Sequence, residues 1–144
     1  MKLLFVCTGN TCRSPMAEAL ARAMAQESGL ELSAASAGLA AIQGQGASEG
    51  AAAAMAARGL SLSGHRARRF EPDMATDALV LAMTRSHAAR LRAMAPWADI
   101  RTLGEWAGMN VEVTDPFGGS MATYAACAEQ LARLIRAGLA ACDR

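Results

Sequence analysis

Leu3-Leu4-Phe5-Val6-Cys7-Thr8-Gly9-Asn10-Thr11-Cys12-Arg13-Ser14-Pro15-Met16 joins a short apolar run to a polar loop and then to the start of a helix. The run Leu3 to Val6 is unbroken, as in a parallel strand buried on both faces. Ser14 and Pro15 read as an N-cap with proline at the first helical position. Met16, Leu20, Ala23 and Met24 then recur at helical spacing until Gly29. Strand, loop and helix in this order open an α/β fold.

The same alternation continues along the chain. A second strand is expected over Leu32 to Ala37, then a loop from Gly38 to Gly46 and an alanine-rich helix from Ser48 to Arg58 closed by Gly59. Ala78 to Met83 is the clearest later strand; a helix from Ser86 to Met94 stops before Pro96, and a weaker strand lies near Asp99 to Leu103. Asp115-Pro116-Phe117-Gly118-Gly119 ends a polar, glycine-bearing stretch. Beyond it Tyr124, Ala128, Leu131, Ile135 and Leu139 mark a terminal amphipathic helix. Strands alternating with helices predict a parallel sheet covered on both faces, a three-layer α/β/α domain whose ligands bind beyond the carboxyl ends of the strands.

With 144 residues the chain is read as one domain, residues 1–144. A domain of this length buries about 68–70% of the surface its unfolded chain exposes, enough to stand without disulfide staples. The 35 alanines inflate the 53% hydrophobic content, so Leu, Val, Ile and the nine Met carry the core. Fourteen Lys and Arg against 13 Asp and Glu leave a net charge of +1, too little to hold a polyanion, and a nucleic-acid role is disfavoured. No apolar stretch reaches the length of a signal region or a membrane span, so the expectation is a cytoplasmic protein without a membrane partner. Its oligomeric state is open, a monomer included. Cys7, Cys12, Cys127 and Cys142 are too few and too unevenly placed for a disulfide framework and are expected as reduced thiols. No pair has zinc-ligand spacing.

The loop after the first strand holds the chemistry. A loop curling over a helix N-terminus turns successive backbone N–H groups inward and makes an anion nest that the helix dipole reinforces. Gly9 and Asn10 are residue types that tolerate the positive φ of such a curl. Arg13 can return its planar fork to two oxygens of a phosphate, and Cys7 lies at the base of the ring, where the nest favours its thiolate. Ser14, by hydrogen-bonding the sulfur, would help the same sulfur leave.

Val6-Cys7-Thr8-Gly9-Asn10-Thr11-Cys12-Arg13-Ser14-Pro15-Met16-Ala17-Glu18, the downstream Ser36-Ala37-Gly38 and the late Asp115-Pro116-Phe117 resemble, in order and spacing, the low-molecular-weight protein tyrosine phosphatase family. The resemblance covers essentially the whole chain. It implies a central four-stranded parallel sheet, Cys7 as nucleophile, Arg13 as phosphate binder and Asp115 as general acid. Thr8 to Ser14 would form the phosphate loop, with Asn10, Ser14, Ser36 and His65 as the polar network that shapes it. No metal or other cofactor is implied, and the partner is a phosphorylated protein. The Asp115 role fits its chemistry: a carboxyl beside a thiolate or phosphate is favoured to keep a proton, as an acid needs.

Two positions bear on the substrate. Thr11 stands where many relatives carry a bulky aliphatic residue, and Phe117-Gly118-Gly119-Ser120 lacks the tyrosine that often follows the Asp-Pro. This combination resembles the bacterial protein arginine phosphatase branch, which implies phosphoarginine as the substrate; phosphotyrosine is the alternative. Arsenate reductases share the loop but need two more cysteines after the third strand, and no cysteine lies between Cys12 and Cys127. A non-catalytic phosphate-binding module is disfavoured because Cys7, Arg13, Ser14 and Asp115 are all present.

Plainer roles compete at several positions. Cys12 either packs or traps an oxidised Cys7 as a disulfide. Asp115 could simply cap a turn before Pro116, and His65 could be a solvated loop residue beside Arg66, Arg68 and Arg69. His87 reads as a helix surface residue. Cys127 and Cys142 read as packing or incidental exposure, and Trp97 and Trp106 as core or rim.

Overall fold

A computed structural model describes residues 1–142. Strands β1 (Lys2–Cys7), β2 (Ser33–Gly38), β3 (Leu79–Ala82) and β4 (Asp99–Thr102) form one four-stranded sheet in the order β2-β1-β3-β4. Every adjacent pair is parallel. The helices are α1 (Arg13–Ser28), α2 (Glu49–Ala56), α3 (Arg85–Met94), α4 (Leu103–Trp106) and α5 (Met121–Cys142), with a short 3-10 helix at Pro72–Ala75.

β1 is the spine because its side chains serve both layers. Leu3, Phe5 and Cys7 point into a core shared with Met16, Leu20, Leu131 and Ile135 of α1 and α5. Leu4 and Val6 point the other way, against Phe70, Ala75, Ala88 and Leu91. Leu3 to Val6 are wholly inaccessible, and each such side chain contributes about 1.5–3 kcal/mol of burial. That double burial is why the run is continuous rather than alternating. The expected three-layer α/β/α domain with a four-stranded parallel sheet is the one observed.

Element ends follow local chemistry. Gly29 closes α1 in the left-handed region at φ 67° and donates to Ala25 and Gln26 carbonyls. Ser48, Thr84 and Thr102 cap α2, α3 and α4 by accepting from the backbone N–H groups of Ala51, His87 and Glu105. α5 runs long because Tyr124, Ala128, Leu131, Ile135 and Leu139 keep one face buried. It lies close on α4 because Gly138 faces the Trp106 ring, where a Cβ would collide. Among the described residues no helix is long and apolar enough to cross a membrane.

Several element boundaries depart from the sequence reading, β2 and β3 among them at Ser33–Gly38 and Leu79–Ala82. Ser14 and Pro15 are not the cap and first residue of α1: the cap position is Cys12, Arg13 is first, and no side chain caps the end. Ser14 lies inside the helix, its hydroxyl accepting from Asn10 Nδ2 and lying 2.8 Å from Cys7 Sγ. α2 stops at Ala56, two residues short of Arg58. α4 and the 3-10 helix, each four residues long, carry too few residues for a periodic signal. Trp106 is buried while Trp97 is exposed.

Candidate active site

β1 ends at Cys7 and α1 starts at Arg13, so five residues must turn the chain between them. Of Gly9 and Asn10, only Asn10 adopts a positive φ, at 56°. A Cβ on Gly9 would meet nothing closer than Thr11 Oγ1 at 3.6 Å, so that position carries no steric demand for glycine. Asn10 holds the left-handed conformation because its amide is used at every atom. From Gly9 to Ser14 no backbone N–H donates to a backbone carbonyl among the described residues. With no acidic residue in the first turn of α1 either, the positive end of the helix faces the loop uncompensated.

A directional chain of hydrogen bonds supports the loop from below. Glu18 Oε1 accepts from the Ser36 hydroxyl at 2.8 Å, so Ser36 must itself accept, and it does so from Asn10 Nδ2 at 3.0 Å. The other hydrogen of that amide goes to Ser14 Oγ at 2.8 Å. Ser14 Oγ lies 2.8 Å from Cys7 Sγ, and once the sulfur is a thiolate, which can only accept, the Ser14 hydroxyl is the donor. Asn10 Oδ1 accepts from the Arg68 backbone N–H at 3.0 Å, and the Asn10 carbonyl accepts from His65 Nε2 at 2.7 Å. Because a carbonyl can only accept, that His65 nitrogen carries the hydrogen. Asn10, Ser14, Ser36 and His65 are thus brought together as expected.

Glu18 and Arg68 are additions the sequence reading missed. Glu18 is held by Arg22 at 2.9 Å, and Arg68 Nε also donates to the Ser36 carbonyl at 3.0 Å. Ser36-Ala37-Gly38 acquires a reason as well. A Cβ on Gly38 would lie 2.6 Å from the Thr8 carbonyl oxygen and 2.9 Å from Asn10 N, so only glycine lets β2 lie against the loop.

Arg13 is 4% exposed although it is charged. Its Nη1 donates to the Val113 carbonyl at 2.8 Å, and its Nη2 lies 3.8 Å from Asp115 Oδ2. Its Nε is buried with no partner among the described residues. A guanidinium pinned at one end, with an unused buried donor, suits an oxyanion brought into the loop. Asp115 Oδ1 accepts from Phe117 N at 3.0 Å while Oδ2 faces Arg13. Turn capping and the functional placement therefore coexist, one oxygen each. Cys7, Thr8, Thr11, Arg13, Asp115 and Phe117 line one cleft of about 320 Å³, with Ile42 and Gln45 at its rim. Cys7 is buried, the Asp115 side chain is half exposed, and Phe117 stands 75% exposed at the mouth.

Cys12 is buried, and its thiol donates to Ser48 Oγ at 3.2 Å, with the Tyr124 hydroxyl 3.7 Å away. All four cysteines are free. Cys127 packs in the core, where burial pushes its thiol up to about 12, and Cys142 is exposed. His87 corrects the sequence reading: it is buried, not superficial, and its Nε2 lies 2.8 Å from Thr8 Oγ1. A signal for it existed. β1 and β3 are neighbours in the sheet, so the helix following β3 must start beside the loop following β1.

A thiol at the end of the first parallel strand, an arginine six residues on and a carboxylate facing that arginine form, on an α/β fold, a constellation suited to phosphoryl chemistry. The chain belongs to the low molecular weight phosphotyrosine protein phosphatase family, whose model matches residues 2–144. It is therefore a hydrolase of the low-molecular-weight protein tyrosine or arginine phosphatase type. Over 139 residues it is 38% identical to a protein-arginine-phosphatase of Bacillus subtilis, covering 94% of this chain and 93% of that one. The crystal structure of a low molecular weight protein tyrosine phosphatase from T. tengcongensis superposes with a TM-score of 0.94 at 40% identity, over 98% of this chain and 99% of the other. A mutant YwlE arginine phosphatase with a phosphorylated active-site serine superposes with a TM-score of 0.91 at 35% identity, over 100% and 97%.

Proposed function

We propose that this protein removes phosphate from phosphoarginine on proteins through a phospho-cysteine intermediate. The observation that carries the mechanism is the convergence of Cys7, Arg13 and Asp115 on one cleft. In the first step the Cys7 thiolate attacks phosphorus in line and forms the S–P bond while Arg13 and the loop amides hold the non-bridging oxygens. The P–N bond breaks and Asp115 gives its proton to the departing guanidine nitrogen. In the second step Asp115 takes a proton from water, whose oxygen attacks phosphorus. The S–P bond then breaks to return the thiolate, to which Ser14 donates. The half-exposed Asp115 reaches both the substrate and bulk water, as its two roles require.

Two things support phosphoarginine. Thr11 places a small polar side chain in the wall of the cleft, and the chain is similar to an arginine phosphatase over nearly its full length. Phosphotyrosine is the second reading, favoured by the apolar lip that Ile42 and Phe117 form beside the same cleft. The deciding experiment is kcat/KM on peptides that differ only in carrying phosphoarginine or phosphotyrosine. Preference for phosphoarginine is expected, and preference for phosphotyrosine would overturn the substrate assignment while leaving the mechanism standing.

A further inference from the structure

His87 sits in the first turn of α3, where its backbone N–H is fixed by the Thr84 hydroxyl at 3.1 Å. The ring is buried against the phosphate loop, Nε2 lies 2.8 Å from Thr8 Oγ1, and Nδ1 is buried without a partner among the described residues. Burial, with Arg13 and Arg90 adding to it, lowers the pKa from 6.5 against the opposing pull of Asp115 and Glu112. The imidazole is then neutral at neutral pH and carries one hydrogen.

Where that hydrogen sits decides what Thr8 can do. On Nδ1 it would be a buried donor with no acceptor, the rarer kind of defect in folded proteins, and Thr8 would spend its own hydrogen on Nε2. On Nε2 it is donated to Thr8 Oγ1, and the Thr8 hydroxyl hydrogen is free to point elsewhere. Thr8 lines the cleft beside Cys7 and Arg13. We propose that His87 is a positioning residue for phosphoryl transfer, its Nε2–H held by Thr8 Oγ1 so that the Thr8 hydroxyl hydrogen is committed to an oxyanion in the cleft. The proposal rests on the phosphatase reading but not on phosphoarginine as its substrate.

The test is a double-mutant cycle on the full chain, with p-nitrophenyl phosphate as substrate and calorimetric binding of inorganic phosphate as a readout that needs no turnover. His87→Ala is expected to lower kcat/KM about tenfold and to weaken phosphate binding by about the same factor, the size of one hydrogen bond. Thr8→Val should do the same, and the double variant should be no worse than either. His87→Gln, which returns a side-chain N–H near the Nε2 position, should recover part of the loss. Additive losses in the double variant would overturn the proposal. So would a lowered Tm for His87→Ala with phosphate affinity and kcat/KM per folded molecule unchanged. If the wild-type protein hydrolyses no phosphate ester, the phosphatase reading falls, and the phosphate-binding cycle still decides the His87–Thr8 coupling.

Discussion

Ser14 Oγ stands 2.8 Å from Cys7 Sγ and already accepts from Asn10 Nδ2, so its hydroxyl donates to the sulfur whenever Cys7 is a thiolate. The bond matters most when sulfur leaves phosphorus as a thiolate, since a hydrogen bond to a charged group is worth about 1.5–3 kcal/mol. Ser14→Ala should therefore slow the second step by about 10- to 100-fold and leave the first nearly intact. Rapid mixing with p-nitrophenyl phosphate should show a burst of one p-nitrophenol per active site and then a slow steady state. A wild-type steady-state rate without a burst would mean that the relay from Glu18 to Cys7 does not act on the departing sulfur.

Gly38 backs the loop without touching the cleft. A Cβ there meets backbone atoms of Thr8 and Asn10, which cannot swing aside as a flexible side chain would. Gly38→Ala should cost about 1–3 kcal/mol of stability and lower kcat by displacing the loop. Chemical denaturation and steady-state kinetics on the same preparation check both, and unchanged values in each would mean that β2 can yield at that point.

The fold was legible because β1 is buried on both faces and announces itself as an unbroken apolar run, and because long helices such as α5 repeat an apolar face. Cys7, Arg13, Ser14 and Asn10 were legible because they share one short segment. Asp115 and Ser36 needed the family resemblance, since the sheet rather than the sequence brings them near. His87 and Glu18 were missed for opposite reasons. His87 looks like any polar residue of a short helix until β3 is known to neighbour β1. Glu18 lies in plain view on α1, but its partner Ser36 is 18 residues away in strand β2.

The buried His87 carries a stability signature of its own. Its folded-state pKa lies below 6.5, so the unfolded chain binds a proton that the folded one resists. The stability tied to keeping this ring neutral is full above about pH 6.5 and is lost as pH falls from there through the lowered folded value. Wild-type Tm should decline across that acid window more steeply than that of His87→Gln, which has nothing to protonate. Parallel Tm-versus-pH curves for the two proteins would show that the ring accepts its proton in place.

Asp115 is the side chain whose replacement separates binding from chemistry. One of its oxygens holds the turn at Phe117 and the other faces Arg13, and an asparagine keeps the shape of both while losing the transferable proton. Asp115→Asn should lower kcat by about 10²–10⁴-fold, the usual range for loss of a general acid and base. Phosphate binding should persist, because Arg13 is still pinned by the Val113 carbonyl and the loop amides are untouched. The loss in kcat/KM, which reports the first step alone, should be smaller for p-nitrophenyl phosphate, whose leaving group needs little protonation, than for a phosphoarginine or phosphotyrosine peptide. Equal losses of kcat/KM on the activated and unactivated substrates would show that Asp115 acts through Arg13 and not as the acid of the first step.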